Sequence, residues 1–209
     1  MASKYKFVPN SFYIKDTDIP QNKYDITDSE TIHEIEGQLL KESYIHFQNL
    51  LDKDTLFDEN YFKHLHYKTF SSLYNWTGEY RSFNMAKGES RFCQGDFVES
   101  QMKELFDKLK KDNYLKDNQN KSKEEFAKKI AYYKCELIAI HPFAELNGRT
   151  TRLFFDMITY YNYKKFINYS HYSREEYIDA SIECVQYADN SKLEEIILMG
   201  MSLNIDKIV

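Results

Sequence analysis

Residues 123–162 read KEEFAKKIAYYKCELIAIHPFAELNGRTTRLFFDMITYYN, and this stretch decides the fold. Phe126, Ile130, Tyr133 and Leu137 recur at helical spacing with Ala127, Ala131 and Ile138 beside them, so a helix over 123–140 is apolar or small around most of its circumference. A second helix over 147–162 carries Leu153, Phe154, Met157, Ile158 and Tyr161 and keeps little polar face past its first turn. Helices apolar on nearly every side belong inside a protein. These two therefore form its centre and meet at one polar loop.

The composition agrees with a helical core. Of 209 residues 42% are apolar, and Tyr 18, Phe 15 and Trp 1 supply ample bulk. Gly 6 and Pro 3 are too few to punctuate a many-stranded sandwich or barrel. The expected class is all-α, with one compact domain over 27–209 and an arm over 1–26, because domains commonly hold ~150 residues. A net charge of −5 leaves no global basic field for nucleic acid or an anionic membrane. Lys4, Lys6 and Pro9 interrupt the start where a secretory signal needs an apolar run, and no stretch of ~18 apolar residues occurs. Cys93, Cys135 and Cys184 are odd in number and far apart, which suits a reducing compartment. A soluble cytoplasmic protein is expected.

Outward from the central pair, the arm shows no clear period and is expected to lie on the body without chemistry. Thr27 and Glu30 have capping-box spacing ahead of a helix to about residue 51. Asp58 can cap a second helix, apolar at Phe62, Leu65, Thr69 and Leu73, that runs to Trp76 and stops at Gly78. His64 and His66 point to different faces of it and read as surface histidines. Around Lys87-Gly88 the helical period is lost, and Tyr80, Phe83, Met85 and Phe92 suit a short hairpin with glycine at its tip, a flap. A third helix over 96–111, a solvated loop to 123, a capping box at Ser173 and Glu176 opening a helix to 187, and a last helix over 191–203 complete the reading.

The loop His141-Pro142-Phe143-Ala144-Glu145-Leu146-Asn147-Gly148-Arg149-Thr150-Thr151-Arg152 sets an imidazole, a carboxylate, an amide and two guanidinium groups between apolar helices. A helix starting near Asn147 points free N–H groups and the positive end of its dipole out of the loop, a site for phosphate oxygens. Arg149 and Arg152, three apart, share the face of its first turn as a polyphosphate clamp. Glu145 beside that anion site is reconciled with it by a bridging Mg²⁺. His141, turned by Pro142 into the same cleft, can take a proton from an incoming hydroxyl. The competing reading is a capping cluster in which Glu145 pairs with Arg149 or Arg152 and His141 ends a helix.

These residues resemble the signature of Fic-domain proteins, HPFx[D/E]GNGRxxR. The resemblance continues through Leu73-Tyr74-Asn75-Trp76-Thr77-Gly78-Glu79-Tyr80-Arg81 and Lys87-Gly88-Glu89-Ser90-Arg91-Phe92-Cys93, and covers roughly residues 25–203. It implies a helical Fic fold with a hairpin flap and transfer of AMP from ATP to a Ser, Thr or Tyr hydroxyl of a target protein. His141 then matches the general base and Glu145 the Mg²⁺ ligand. Asn147 and Gly148 match the phosphate-holding turn, and Arg149 and Arg152 the arginines that contact the phosphates. Lys87, Gly88, Glu89, Ser90, Arg91 and Phe92 match the flap that aligns the target's backbone by strand addition. Leu146 departs from the pattern's glycine. A positive φ there would cost leucine ~1–2 kcal/mol and bring its side chain toward the phosphates, whereas a leucine packed between helices with ordinary dihedrals would be harmless. Another phosphotransferase chemistry, or a weakened nucleotide-binding interaction protein, is the alternative. Relatives are switched off by a helix carrying [S/T]xxxE[G/N], a string that Thr55-Leu56-Phe57-Asp58-Glu59-Asn60 fits, or by a separate small antitoxin of toxin and antitoxin pairs, the control expected here.

Overall fold

The computed structural model describes residues 5–117 and 122–202. Residues 1–4 of the arm, 118–121 of the polar stretch and residue 203, the expected end of the last helix, lie outside the described residues. Seven helices and one hairpin are seen among the described residues: α1 (Ser29–Leu50), α2 (Glu59–Phe70), β1 (Ala86–Lys87), β2 (Ser90–Arg91), α3 (Val98–Lys111), α4 (Lys123–Ile140), α5 (Asn147–Tyr163), α6 (Arg174–Tyr187) and α7 (Ser191–Ser202). The expected mostly helical class with a small flap is what the chain adopts. No helix among the described residues is long and apolar enough to cross a membrane.

α4 lies at the centre, against α3, α5, α6 and α7, as its nearly unbroken apolar circumference requires. α1 and α2 pack on each other and on α5. Phe62, Phe126, Phe143, Phe154 and Phe155, all fully buried, fill the main core. A second core under the arm joins Ile19, Ile32, Phe70, Leu73, Tyr74 and Leu146. The hairpin pairs Ala86 with Arg91 and Lys87 with Ser90, antiparallel, and Gly88 takes φ +59° at its turn. At α6 the capping box is complete: Ser173 Oγ accepts from Glu176 N–H (3.1 Å) and Glu176 Oε2 from Ser173 N–H (2.7 Å).

Three local expectations are corrected. Asp28, not Thr27, caps α1, its carboxylate accepting from Thr31 N–H at 2.8 Å. α2 ends at Phe70 rather than Trp76, because the chain turns there to bury Leu73 and Tyr74, and Tyr74 Oη donates to Glu36 Oε1 at 2.7 Å. His64 is exposed as expected, but His66 is buried: it continues the inward stripe of Phe62, Leu65 and Thr69. Gly78 N–H donates to its Nδ1 (2.8 Å), so Nε2 carries the hydrogen and faces Glu145 O (3.3 Å). The His66 ring stacks on Phe143 at 3.8 Å, and burial pushes its pKa down to about 3. It is a neutral prop beneath the α4–α5 loop.

That loop turns through two left-handed residues. His141 (φ 52°) ends α4, where the proline that follows disfavours a further right-handed helical residue, and Leu146 (φ 64°) stands just before α5. Between them Asn147 closes the loop with both ends of its amide: Oδ1 accepts from Phe143 N–H (2.8 Å) and Nδ2 donates to Phe143 O (2.7 Å). Leu146 combines both outcomes weighed from the sequence. Its φ is positive, yet its side chain is 8% exposed and packs on Ile19, Ile32, Phe70, Leu73 and Tyr74. The left-handed backbone costs ~1–2 kcal/mol, while emptying a buried leucine site costs ~2–5 kcal/mol. Burial wins. Leu146→Gly should lose roughly 1–3 kcal/mol, read as a melting temperature lower by several degrees at about 2–4 °C per kcal/mol. A higher melting temperature would show that strain dominates.

Candidate active site

Arg81 builds the site's frame. Four carbonyls accept from its buried guanidinium: Phe83 (2.5 Å), Cys93 (2.6 Å), His141 (2.8 Å) and Ile140 (2.9 Å). Its own N–H donates to Pro142 O at 2.9 Å. Burial lowers its pKa to about 10, so it stays charged at neutral pH. One side chain thus satisfies the last carbonyls of α4, which have no helical partner, and ties them to both ends of the flap. Cys93 N–H adds a second tie, to Ala139 O at 3.0 Å. The Cys93 thiol is partly buried and its pKa is raised by burial, which fits a small packing residue and not a reactive thiolate.

A cavity of about 430 Å³ opens between the flap, the α5 N-terminus and α6. Lys87, Gly88, Ser90, Phe92, His141, Asn147, Gly148 and Thr151 contribute to its wall, together with Ile178 and Ile182 of α6. The size suits a small-molecule ligand. Phe92 stacks on the His141 ring at 3.9 Å and fixes its plane. Burial first, and Arg81 second, push the His141 pKa down to about 3, so the imidazole is neutral. Tyr5 Oη lies 3.0 Å from His141 Nε2, so the arm, expected to carry no chemistry, reaches the one group expected to act as base.

No side chain caps the first turn of α5, leaving its N–H groups open. At Gly148 a Cβ would meet no atom within 4 Å, so packing inside the chain does not ask for glycine there. Gly148 lines the cavity, where a ligand could approach its backbone closely.

Arg149, Arg152 and Glu145 lie beyond the cavity lining. Arg149 pairs with Glu36 of α1. The Arg152 guanidinium lies over the Tyr169 ring at 3.9 Å, with Nε 4.0 Å from Asp156. Behind it Tyr44 Oη donates to Asp156 Oδ2 (2.5 Å), and the fully buried Lys134 Nζ donates to Tyr169 Oη (2.7 Å). Of the capping cluster weighed from the sequence, His141 does end α4, but the pairing with Glu145 does not form: each arginine has its own acidic partner, Glu36 or Asp156. Glu145 Oε2 accepts from Leu146 N–H at 3.2 Å, and burial pushes its pKa up to about 7, with Lys87 and Arg149 opposing. Glu59 of the 55–60 string stands 3.8 Å from Lys63 within α2, away from both arginines. Glu36 and Tyr5 were invisible in sequence as site residues, because each meets the loop from a distant element. Asp156 and Lys134 lie on the helices that flank the loop and were passed over among their apolar neighbours, although Asp156 stands four positions after Arg152.

Comparison with known proteins follows the same residues. The Fic/DOC family model matches residues 56–159. A Sinorhizobium fredii protein named "Probable protein adenylyltransferase y4lH" is 34% identical over 158 residues, covering 76% of this chain and 79% of that protein. VbhT of Bartonella schoenbuchensis, named a protein adenylyltransferase, is 33% identical over 138 residues, 66% of this chain but 27% of its own length. The structure of BepC, a VirB-translocated effector from Bartonella tribocorum with bound AMPPNP, shares the fold at TM-score 0.77 and 23% identity, covering 90% of this chain and 95% of that one. The N-terminal Fic domain of Bep8 from Bartonella sp. 1-1C does so at TM-score 0.77 and 20% identity, covering 89% and 92%. The chain belongs to the Fic/DOC family.

Proposed function

We propose that this chain is a protein adenylyltransferase, moving AMP from ATP to a Ser, Thr or Tyr hydroxyl of a protein target. One observation carries the reading: a neutral His141 presents Nε2 to a hydroxyl at 3.0 Å in the same cavity that exposes the uncapped N-terminus of α5. A base poised on a hydroxyl beside an anion site is what attack on a phosphorus requires. The relatives named as adenylyltransferases support AMP, rather than phosphate, as the transferred group.

The backbone of Asn147 and Gly148 receives phosphate oxygens, and Arg149 and Arg152 neutralise them. His141, which burial keeps as a neutral imidazole, takes the proton of the attacking hydroxyl on Nε2. The flap residues Lys87, Gly88, Glu89, Ser90, Arg91 and Phe92 align the target, whose main chain pairs at the edge of β1 by displacing the arm, where Lys6 now bonds Ala86. Mg²⁺ fits Glu145, whose carboxylate stands at the N-terminus of α5 and accepts from Leu146 N–H, since that ion commonly takes one protein carboxylate with phosphates and water. Bound there, the ion would neutralise phosphate charge. Leu146, packed into the second core, leaves the catalytic reading favoured over a weakened one.

Glu36 acts as the brake in this reading, because its carboxylate holds the guanidinium that phosphate needs. It takes the inhibitory role weighed for Glu59, and control by a separate antitoxin stays compatible with it.

Three outcomes test these roles. His141→Ala should abolish AMP transfer to proteins while calorimetric ATP affinity stays within about twofold, since a base acts on the hydroxyl and not on the bound phosphates; wild-type transfer would refute the assignment. Arg149→Ala should weaken ATP binding and Glu36→Gln strengthen it, each by about tenfold. Equal affinities in both would remove Arg149 from the phosphate site. The Glu145 carboxyl, with its pKa raised to about 7, is mostly protonated below that pH. The Mg²⁺-dependent part of ATP affinity should therefore grow as pH rises through 7, by up to about tenfold per unit on the acid side, and flatten in Glu145→Gln. A wild-type profile as flat as the variant's would dismiss Glu145 as ligand.

A further inference from the structure

The edge of the flap is already taken. Lys6 N–H donates to Ala86 O at 2.8 Å and Ala86 N–H returns a bond to Lys6 O at 3.3 Å, so the arm adds to β1 as an antiparallel partner. Lys6 Nζ secures the register again by donating to Gly88 O at 3.2 Å. Strand addition of this kind reads main chain, with side chains selected at alternate positions. The residue next to Lys6 is Tyr5. Its ring lies edge-on to Phe92 at 6.1 Å, with Lys87 Nζ 4.8 Å from its face, and its Oη stops 3.0 Å from His141 Nε2. Tyr5 also lines the cavity onto which Asn147 and Gly148 open. The arm thus holds a hydroxyl, in register, where the proposed reaction needs its acceptor.

We propose that Tyr5 is a site of self-modification, accepting AMP from ATP within its own chain. The inference rests on the adenylyl-transfer reading above. Tyr5 Oη forms a bond to the α-phosphorus as the bond from that phosphorus to the bridging oxygen breaks, and pyrophosphate departs with the electron pair. The Oη proton passes to His141 Nε2 and from there to solvent. The product is a phosphodiester between Tyr5 and AMP, and ATP is the only co-reactant. Holding acceptor and base at hydrogen-bond distance before the nucleotide arrives removes the entropic cost of bringing a second molecule to the site.

The test is a time course of the whole chain with ATP and MgCl₂, read by intact mass and by peptide mapping, alongside a cell lysate as a source of other acceptors. The expected result is one AMP on Tyr5, at a rate per molecule unchanged by an about tenfold dilution, as an intramolecular step requires. Tyr5→Phe keeps the ring against Phe92 and Lys87 and should lose self-labelling by about tenfold or more, with no adduct left at position 5 in the peptide map. The same comparison in Glu36→Gln relieves the carboxylate on Arg149 and guards against a braked enzyme. AMP on lysate proteins without AMP on Tyr5 would overturn self-modification and leave the transferase reading standing. AMP on neither, in both backgrounds, would overturn the two together. A rate per molecule proportional to protein concentration would overturn the intramolecular route.

Discussion

The buried guanidinium of Arg81 is the fixed point of this molecule. A helix that ends inside a protein leaves carbonyls without partners, and each carries a desolvation cost unless a donor reaches it. Arg81 reaches the carbonyls of Ile140 and His141 and spends its remaining donors on Phe83 and Cys93, the two roots of the flap. Helix end, imidazole and hairpin therefore share one cation. Lysine could not do this, because a single ammonium has no planar fork to serve four acceptors lying in different directions.

A different use of buried charge stands behind Arg152. Lys134, Asp156, Tyr44 and Tyr169 form a polar knot inside an otherwise apolar bundle. Burial pulls the Lys134 pKa down to about 7 and pushes that of Asp156 up, while their mutual attraction and Arg152 act in the opposite sense on Asp156. Such ion sets are poor sources of stability, because desolvation consumes most of the Coulomb gain. This one gives orientation: Arg152, half-exposed at its tip, is stacked on Tyr169 and drawn toward Asp156, so few rotamers remain open to it.

The helices that bury one another were legible because their apolar spacing is a local property. α4 begins and ends where its stripe predicted, and the Ser173 capping box is a signal wholly contained in four residues. The loop between α4 and α5 could be read for the same reason, since helix N-terminus, arginines and carboxylate stand within twelve positions. What escaped depends on tertiary contact. His66 looks polar along α2, yet it shares the inward stripe of Phe62, Leu65 and Thr69, and Phe143 and Trp76 from beyond the helix pack on its ring. Helix α2 stops early because Tyr74 finds Glu36, a residue 38 positions away. Glu36 itself reads as an ordinary helix acid until Arg149 is placed beside it. Tyr5 is the extreme case: 136 positions separate it from His141, and no periodicity spans such a distance.

The tether of the arm has a consequence for recognition. Ile19 is buried in the second core and Lys23 N–H donates to Leu73 O at 2.9 Å, so a short leash holds the segment around Lys6 near β1 at all times. A strand on such a leash is present at an effective concentration in the millimolar range, whatever the amount of protein in the cell. Against a tethered occupant of comparable grip, a foreign segment with intrinsic micromolar affinity would bind only at about millimolar concentration. Main-chain pairing at the flap is too weak a credential under those terms. On the proposed reading of the flap as the docking edge, a productive target has to bring additional contacts outside the hairpin, and the leash turns an edge open to almost any backbone into a selective one.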